Sequence, residues 1–223
     1  MTNADASETK EHTAAYVQWD YGQAPAQSHQ YLLPVILELC PRLGSGVRVL
    51  DVGCGNGTMA GEFLKRGCTV VGIDLSRAGI GVAKRLFPAG RFEIQAADDQ
   101  LLGRLNEAPF DIVISTEVIE HLYDPNSYAR GCFTAVKPGG RFICSTPYHG
   151  YFKNLFLSVL GKWDHHVDPL WVGGHIKLFS RVTLGRLLRE AGFENIKFRG
   201  SGRLPLLWKS MVLSGDKAAA SAR

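Results

Sequence analysis

Apolar strand segments alternate with helical segments along the chain, and this alternation restricts the fold more than any other feature. The strand segments are almost continuously apolar, so both of their faces are expected to be buried. This pattern is typical of a parallel sheet covered by helices on each side. The predicted strands are residues 47–53, 69–76, 91–98, 110–116 and 141–147, with two more near the C-terminus, and the predicted helices are residues 28–43, 58–67, 77–87, 127–136 and 180–192. We therefore predict a doubly wound α/β fold around a mostly parallel seven-stranded sheet with helices on both faces.

The length and composition fit a single globular domain. The chain has 223 residues, of which 45% are hydrophobic and 21% are charged, and single α/β domains commonly reach about 200–250 residues. We expect residues 1–223 to form one domain. Within it, residues 1–27 are interpreted as a flexible N-terminal lid, because Tyr16, Trp19 and Tyr21 form an aromatic cluster in an otherwise polar segment.

The cysteines and the lengths of the apolar runs favour a cytoplasmic protein. None of the five cysteines belongs to a C-x-x-C pair, so neither a zinc knuckle nor a redox motif is predicted. An unpatterned set of cysteines is typical of a reducing compartment. The first residues lack the apolar core of a signal peptide, and no apolar run is long enough to span a bilayer.

Positive charge is concentrated in the second half of the chain. Residues 112–223 carry 15 Lys or Arg against 8 Asp or Glu, whereas residues 1–111 carry 10 against 13. A solvated helical surface explains such an excess. The alternative is an anionic partner such as RNA, a phosphorylated substrate or a lipid surface.

A glycine-rich segment joins the first predicted strand to the next helix. It reads Asp51-Val-Gly53-Cys-Gly55-Asn-Gly57. Glycines allow a tight turn and a close approach of the backbone to a ligand, and the N–H groups at a helix start suit a carboxylate or phosphate. A dinucleotide-binding G-x-G-x-x-G would require glycine where Thr58 stands, so that motif is not present.

The D-x-G-x-G-x-G pattern resembles motif I of class I S-adenosylmethionine (SAM)-dependent methyltransferases, which have a Rossmann-like fold. The resemblance extends over about residues 45–200. It implies that Gly53, Gly55 and Gly57 contact SAM. Because the amino acid end of SAM carries an ammonium group, Asp51 can bind that end directly or through water.

Residues at the next strand ends complete the SAM site that the resemblance implies. Asp74 ends the second strand, where a carboxylate can accept two hydrogen bonds from a ribose diol; a helix N-cap is the structural alternative. The family places an acid near the adenine amino group, for which the spacing favours Asp98, with the backbone N–H of Asp99 as a further contact. Contacts from Leu75 and Thr116 are also implied.

The segment Glu117-Val-Ile-Glu120-His121 directly follows the fourth predicted strand. On a helical turn, positions i, i+3 and i+4 share one face, so two carboxylates and an imidazole would converge beside the methyl donor. Like charges at such short range repel unless a cation lies between them. Oxygen and nitrogen ligands in this combination suit Mg²⁺, with Mn²⁺ or Zn²⁺ as alternatives.

This segment also resembles two metal-dependent groups of methyltransferases. The ubiquinone-biosynthesis O-methyltransferases share the E-x-x-E-H pattern, the K-P-G-G turn found here at 137–140, and a strand that ends in Ser145-Thr146. The small-RNA 2′-O-methyltransferases have a similar cluster and a downstream histidine that corresponds to His175. The implied metal site comprises Glu117, Glu120, His121 and His175. In the alternative, the first acid lies near the substrate, no metal binds and the histidine is structural.

The chemistry expected of this site differs with and without the metal. A bound cation would stabilise the oxyanion of the acceptor, and the methyl group would move in line from sulfonium to oxygen. Without a metal, His121, His149 or His175 could accept the proton as a general base. The candidate catalytic residues are Glu117, Glu120, His121 and His149.

Residues 148–175 form an insert that interrupts the alternation after the fifth strand. Apolar residues from Phe152 to Trp163 follow helical spacing. Three interpretations are open: a cap that forms the acceptor pocket, a helix packed over the sheet edge, and a membrane-surface contact that delivers a lipophilic acceptor. Candidate pocket residues are Tyr148, His149, His165, His166 and Trp171.

Together these patterns predict a SAM-dependent O-methyltransferase that acts on a small-molecule hydroxyl, such as that of a phenol, catechol, quinol or secondary metabolite. An RNA 2′-O-methyltransferase is the alternative, favoured by the basic second half of the chain. A non-catalytic SAM-binding regulator is a third hypothesis. The sequence makes no prediction about the oligomeric state.

Overall fold

The computed structural model describes residues 26–220 except residues 165, 169 and 172. Within this part of the chain, seven strands form one sheet: β1 (Arg48–Val52), β2 (Thr69–Asp74), β3 (Arg91–Ile94), β4 (Phe110–Thr116), β5 (Val136–Pro147), β6 (Glu194–Ser201) and β7 (Ser210–Asp216). The helices are α1 (His29–Leu39), α2 (Thr58–Leu64), α3 (Arg77–Leu86), α4 (Leu101–Leu105), α5 (Pro125–Ala135), α6 (Tyr151–Val159) and α7 (Arg181–Glu190), and a 3₁₀ turn covers Ile119–His121.

Alternate residues of the strands pack against two separate helical layers. Leu50 and Val52 of β1 belong to a core cluster shared with α4, α5 and α7. Val49 belongs to a second cluster, shared with α1, α2 and α3. Phe142 and Ile143 repeat this division in β5. Because successive side chains of a strand point to opposite faces, burial of both faces explains why the strand segments are almost continuously apolar.

The strand order is β3-β2-β1-β4-β5-β7-β6, and β7 is antiparallel to both of its neighbours. The other neighbouring strands are parallel. The predicted doubly wound, mostly parallel seven-stranded fold is therefore confirmed. The strand order reverses between β1 and β4, and in such sheets a cleft for ligands opens beyond the carboxyl ends of the strands at this point.

Three local predictions were wrong. The third strand ends at Ile94 rather than at residue 98, because the chain leaves the sheet there and enters α4 a few residues later. The K-P-G-G segment is not a separate turn but part of the long strand β5, whose register shifts along β4. The E-x-x-E-H segment forms a 3₁₀ turn over Ile119–His121 instead of an α-helical turn.

Helix α6 contributes to neither core cluster. The apolar side chains of Phe152, Phe156 and Val159 are 56%, 59% and 74% exposed, whereas Lys153 is only 7% exposed. The interpretation of this insert as a helix packed over the sheet edge by its apolar stripe is therefore wrong. The apolar side chains face outward, and the buried position belongs to a lysine.

Two further predictions concern the N-terminal lid and the absence of a membrane-spanning segment. Residues 1–25, which include the aromatic residues of the predicted lid, lie outside the described residues, as does His165 of the insert. The lid therefore stays a prediction. None of the helices in the described part of the chain is long and apolar enough to cross a membrane.

Candidate active site

A cavity of about 410 Å³ opens beyond the carboxyl ends of β1, β2 and β4. Its wall combines the glycine-rich segment with side chains from the strand ends and from the end of the insert. The predicted site residues in this wall are Gly53, Gly55, Asp74, Leu75, Thr116, Glu117, His121 and His175, together with Trp171 from the predicted acceptor pocket. Residues that the sequence analysis missed are Ala26, Ser28, His29, Cys54, Asn56, Ile73, Gln95, Ala97, Val118 and Leu122.

The glycine-rich segment turns the chain from β1 into α2 through left-handed backbone conformations. The φ angle is 75° at Gly53, 53° at Gly55 and 76° at Gly57, a region that side chains disfavour. A Cβ at Gly53 would lie 2.3 Å from Val118, and one at Gly57 would lie 2.8 Å from Ala83. Gly53 and Gly55 reach the cavity. Gly57 does not, and its close approach to Ala83 gives it a packing role between α2 and α3; its contact with the ligand stays a prediction.

Two carboxylates lie at the ends of β1 and β2. Asp74 lines the cavity and accepts hydrogen bonds from the backbone N–H groups of Gly55, at 2.8 Å, and Ser76, at 2.7 Å. Asp51 is fully buried and is not part of the cavity wall, and neither of its oxygens has a hydrogen-bond partner of normal geometry among the described residues. Buried polar atoms are rarely left without a partner. Asp51 therefore fits a role in which the ammonium of a ligand, directly or through water, supplies the missing donor.

The burial of Asp51 predicts how the stability of the ligand-free protein depends on pH. Burial, and then the charge of Asp74, raises the pKa of Asp51 from 3.8 to about 7, and the backbone N–H of Ala60 offsets only a part of this. Between these two pKa values the folded state holds a proton that the unfolded state has released, so stability falls as pH rises.

We therefore expect the free energy of unfolding to decrease between about pH 4 and pH 7, and to decrease less in Asp51→Asn, which cannot ionise there. Thermal unfolding of the two ligand-free proteins across this interval measures the difference. Parallel pH profiles would show that Asp51 does not hold a proton in the folded state.

Asp98 and Asp99 lie outside the cavity wall, contrary to the prediction that they contact adenine. The carboxylate of Asp98 forms an ion pair with Arg104 at 2.5 Å. Its carbonyl oxygen packs closely against α5, since a Cβ at Gly131 would lie 2.0 Å from that oxygen. The N–H of Asp99 donates to the hydroxyl of Ser127 at 3.1 Å. These contacts hold both acids toward α4 and α5 instead of toward the cavity.

Gln95 and Ala97 border the cavity at the end of β3 instead of the two acids. The side chain of Gln95 donates to the carbonyl of Leu101 at 2.8 Å, which fixes the path of the chain after Ile94. A partial signal for these residues was present in the sequence: the alternation of polar and apolar residues that begins at Arg91 breaks at Ala97, before residue 98. Ending the strand there would have moved the predicted adenine contacts toward residues 95–97.

Glu120, His121 and His175 converge beside the cavity. One possible ligand atom from each of the three lies within 4.8 Å of the other two. Oε1 of Glu120 lies 4.0 Å from Nε2 of His121 and 4.0 Å from Nε2 of His175. The second carboxylate oxygen accepts a hydrogen bond from Thr146 at 2.9 Å, whereas Oε1 has no hydrogen-bond partner in the described part of the chain.

Backbone hydrogen bonds bring these three side chains together. The N–H of Ile176 donates to the carbonyl of Glu120 at 2.9 Å, which ties the end of the insert, and with it His175, to the 3₁₀ turn. Nδ1 of His121 lies 2.8 Å from the carbonyl oxygen of Gly173. Because a carbonyl oxygen only accepts, Nδ1 carries the proton of the neutral ring and Nε2 presents a lone pair on the side of Glu120.

This arrangement fits a divalent metal ion. Burial lowers the pKa of both histidines, that of His175 to about 4, so both rings are neutral, as metal ligands must be. Burial, and then the charge of Glu117, raises the pKa of Glu120 well above its usual range. A buried carboxylate oxygen without a hydrogen bond calls for a positive partner. One carboxylate and two imidazole nitrogens suit Zn²⁺ or Mn²⁺, and Mg²⁺ if further oxygen ligands come from water or the acceptor.

Glu117 does not belong to this group, so the four predicted metal ligands are reduced to three. Its φ angle of 54° is left-handed, which prevents residues 117–121 from forming the expected α-helical turn. The carboxylate accepts hydrogen bonds from the hydroxyls of Ser145, at 2.7 Å, and Ser210, at 3.1 Å. Burial raises the pKa of Glu117. This side chain lines the cavity together with Thr116.

His149 lies outside the cavity wall, next to α6. Its ring stacks on Trp163 with centroids 6.5 Å apart and meets the ring of His166 edge-on at 5.2 Å. Burial lowers the pKa of His149 to about 4, which makes it a weak base at neutral pH. Its position does not support the predicted role as a general base. Tyr148, another predicted pocket residue, packs in the core against Trp208 at 5.1 Å.

Comparison with known families identifies the class of protein. The model of a family described as a methyltransferase domain matches residues 25–197. The chain belongs to this family and is a SAM-dependent methyltransferase.

Within the family, the chain is similar to ubiquinone biosynthesis O-methyltransferases. It is 33% identical to that of Thiobacillus denitrificans over 214 residues, which is 92% of this chain and 90% of that protein. It is 31% identical to that of Aromatoleum aromaticum over 209 residues, 92% of this chain and 89% of the other. A SAM-dependent methyltransferase from Archaeoglobus fulgidus has the same fold, with a TM-score of 0.61, 17% identity, and coverage of 83% of this chain and 91% of that one.

Proposed function

We propose that this methyltransferase transfers the methyl group of SAM to a hydroxyl oxygen of a small-molecule acceptor, such as a phenol, catechol or quinol, with the assistance of a divalent metal ion. The observation that carries the proposal is the convergence of Glu120, His121 and His175 beside the cavity. A cation at this place suits an oxygen nucleophile, because it stabilises the oxyanion. The similarity to O-methyltransferases supports the same chemistry.

In this proposal, SAM occupies the cavity at the ends of β1, β2 and β4. The backbone of the glycine-rich segment approaches the amino acid end of SAM, and Asp51 binds its ammonium. Asp74 accepts hydrogen bonds from the ribose diol while its own backbone contacts hold it in place. Gln95 and Ala97 take the position at adenine that Asp98 and Asp99 were predicted to occupy.

The acceptor hydroxyl faces Glu117, whose carboxylate two serine hydroxyls hold in place. The raised pKa of Glu117 makes it a better proton acceptor than an exposed glutamate. As the hydroxyl loses its proton to Glu117, its oxygen attacks the methyl carbon, the new C–O bond forms in line with the breaking C–S bond, and the donor leaves as a neutral thioether. Residues 148–175 as a cap and residues 1–27 as a lid exclude water from this reaction.

When bound, the metal ion supplies Lewis-acid stabilisation of the acceptor oxyanion. Glu120, His121 and His175 would hold it; Mn²⁺ or Zn²⁺ suits these three ligands directly, and Mg²⁺, the ion that the sequence favoured, would require further oxygen ligands. The hydroxyl of Thr146 and the carbonyl of Gly173 orient two of these ligands, as outer hydrogen bonds commonly do at metal sites.

The exposed surface of the molecule indicates which partners it can bind. The exposed apolar side chains of α6 favour a peripheral contact with a membrane that holds a lipophilic acceptor. RNA as the acceptor remains the alternative, supported by the basic second half of the chain and by the cluster of Glu120, His121 and His175. The non-catalytic regulator is set aside, because the family and the similar proteins are enzymes. The cytoplasmic location stays a prediction.

The proposal is tested by methyl transfer from labelled SAM to catechol and to RNA oligonucleotides, each with and without EDTA. We expect catechol to be methylated, and we expect EDTA to lower the rate by about tenfold or more until Mg²⁺ or Mn²⁺ is added back. EDTA saturated with Mg²⁺ is the control. Methylation of RNA but not of catechol would establish the alternative function, and a rate insensitive to EDTA would remove the metal from the mechanism.

A further inference from the structure

A tryptophan ring forms part of the wall of the active-site cavity. Trp171 lines this cavity, and no other tryptophan, tyrosine or phenylalanine in the described part of the chain does so. Its side chain belongs to neither core cluster and is 46% exposed, although tryptophan is highly buried on average in folded proteins. The ring therefore contributes its surface to the cavity and not to the core.

The turn that carries Trp171 is attached to the proposed metal site. The N–H of Gly174 donates to the carbonyl of Trp171 at 2.9 Å, and the ring packs on Gly174, where a Cβ would lie 3.0 Å from it. Nδ1 of His121 lies 2.8 Å from the carbonyl oxygen of Gly173 and 3.0 Å from that of Gly174. The centroid of the Trp171 ring thus lies 5.9 Å from that of His121 and 5.7 Å from that of His175. These contacts set the position of the indole ring relative to the two histidines.

In the proposed function, the sulfonium of SAM comes to the same part of the cavity. The acceptor oxygen lies beside Glu117 and the metal ligands, and the methyl carbon stands in line between that oxygen and the sulfur. The rest of SAM is placed along the glycine-rich segment, Asp74 and Gln95, which line the same cavity. The sulfur therefore lies close to the part of the wall that Trp171 shares with His121.

An aromatic ring suits a sulfonium for a physical reason. A sulfonium is a cation without an N–H or O–H group, so it cannot donate a conventional hydrogen bond. The quadrupole of an aromatic ring attracts such a cation, most strongly for indole, and proteins recognise methylated ammonium groups in this way. When the methyl group leaves, the sulfur becomes a neutral thioether and the attraction is lost. A ring against the sulfur can therefore distinguish by charge two compounds that differ in shape by only one methyl group.

We propose that the sulfonium of SAM lies against the indole ring of Trp171, and that this contact makes the enzyme bind SAM in preference to S-adenosylhomocysteine, the product that remains after methyl transfer. The inference rests on the proposed function and deepens it, because it assigns a residue to the selection between charged donor and neutral product. Trp171, predicted from the sequence to belong to the acceptor pocket, is a donor-binding residue in this arrangement. Its contact with the sulfur is lost on transfer, which favours release of the product.

The test is calorimetric titration of the full chain with SAM, with S-adenosylhomocysteine and with sinefungin, which carries an ammonium in place of the methylated sulfonium. We expect Trp171→Leu to weaken binding of the two cations by about threefold to tenfold more than binding of S-adenosylhomocysteine. Trp171→Phe, which retains a smaller ring, should give an intermediate preference. Trp163→Leu, which replaces a tryptophan of the same insert outside the cavity wall, should keep the preference of the wild type.

The titrations require no acceptor, so failure to methylate catechol would count against the proposed O-methylation alone. Two results would overturn the inference. Equal weakening of all three ligands in Trp171→Leu would show that the ring only shapes the cavity, and unchanged affinities would show that it does not contact the donor. Should Trp171→Leu fail to fold, Trp171→Phe decides the question: it is expected to reduce the preference for SAM by about twofold or more, and an unchanged preference would contradict the inference.

Discussion

Replacing Glu120 with alanine is expected to lower methyl transfer by about a hundredfold or more while the dissociation constant of SAM stays within roughly twofold of the wild type. Glu120 supplies the carboxylate of the proposed metal site, and it is absent from the wall of the SAM cavity. Its removal should therefore abolish metal assistance without disturbing the donor. Initial rates with catechol and calorimetric titration with SAM measure the two effects.

Chelation provides the internal control for this prediction. Because EDTA and Glu120→Ala remove the same assistance, their effects should not add, and the residual rate of the variant should respond neither to EDTA nor to added Mg²⁺. Glu190→Ala, at an exposed position at the end of α7, should match the wild type. Additive losses would place Glu120 outside the metal site, and a large loss of SAM binding would indicate a structural role.

Replacing Asp74 with alanine is expected to raise the dissociation constant of SAM by about tenfold to a hundredfold, since a hydrogen bond to a charged group contributes about 1.5–3 kcal/mol. Asp74 lines the cavity, and its carboxylate also holds the N–H groups of Gly55 and Ser76. Its loss would remove the proposed ribose contact and loosen the glycine-rich segment at the same time. Equilibrium binding of SAM measures the change.

Asp98→Ala is the matched control for this prediction. Its carboxylate pairs with Arg104 at a partly exposed position outside the cavity wall, and such pairs contribute about 1 kcal/mol or less to stability. The affinity for SAM should stay within roughly twofold of the wild type, because no contact with the donor is lost. A tenfold loss of affinity for SAM in Asp98→Ala would show that Asp98 does contact adenine. An unchanged affinity in Asp74→Ala would exclude the ribose contact.

The fold and the donor side of the site could be predicted because local patterns determine them. Almost continuously apolar strands such as residues 47–53 are stable only inside a sheet covered on both faces, and in a doubly wound sheet their carboxyl ends meet at one cleft. The positions of the glycines that follow β1 and of the acid that ends β2 could be predicted, because they are set by where these strands end. For the same reason, an error of four residues in the end of the third strand misplaced Asp98 and Asp99.

The acceptor side depends on long-range contacts that no local pattern encodes. The left-handed conformation of Glu117 separates it from Glu120, and this conformation is stabilised by hydroxyls of Ser145 and Ser210 on two other strands. His175 lies beside Glu120 because the N–H of the next residue, Ile176, donates a backbone hydrogen bond to Glu120 and so closes a long loop. The orientation of α6 could not be predicted either. An amphipathic pattern predicts a buried apolar face, whereas the structure contains a buried lysine.

The reversal of strand order between β1 and β4 divides the active site along the chain. Most groups that would hold SAM come before residue 98, whereas Glu117, Glu120 and His175 all come after residue 116. A new substrate preference can therefore evolve in the second segment with little change to the first. Chimeras that exchange the two segments between related enzymes would be a direct route to reprogramming which compound is methylated.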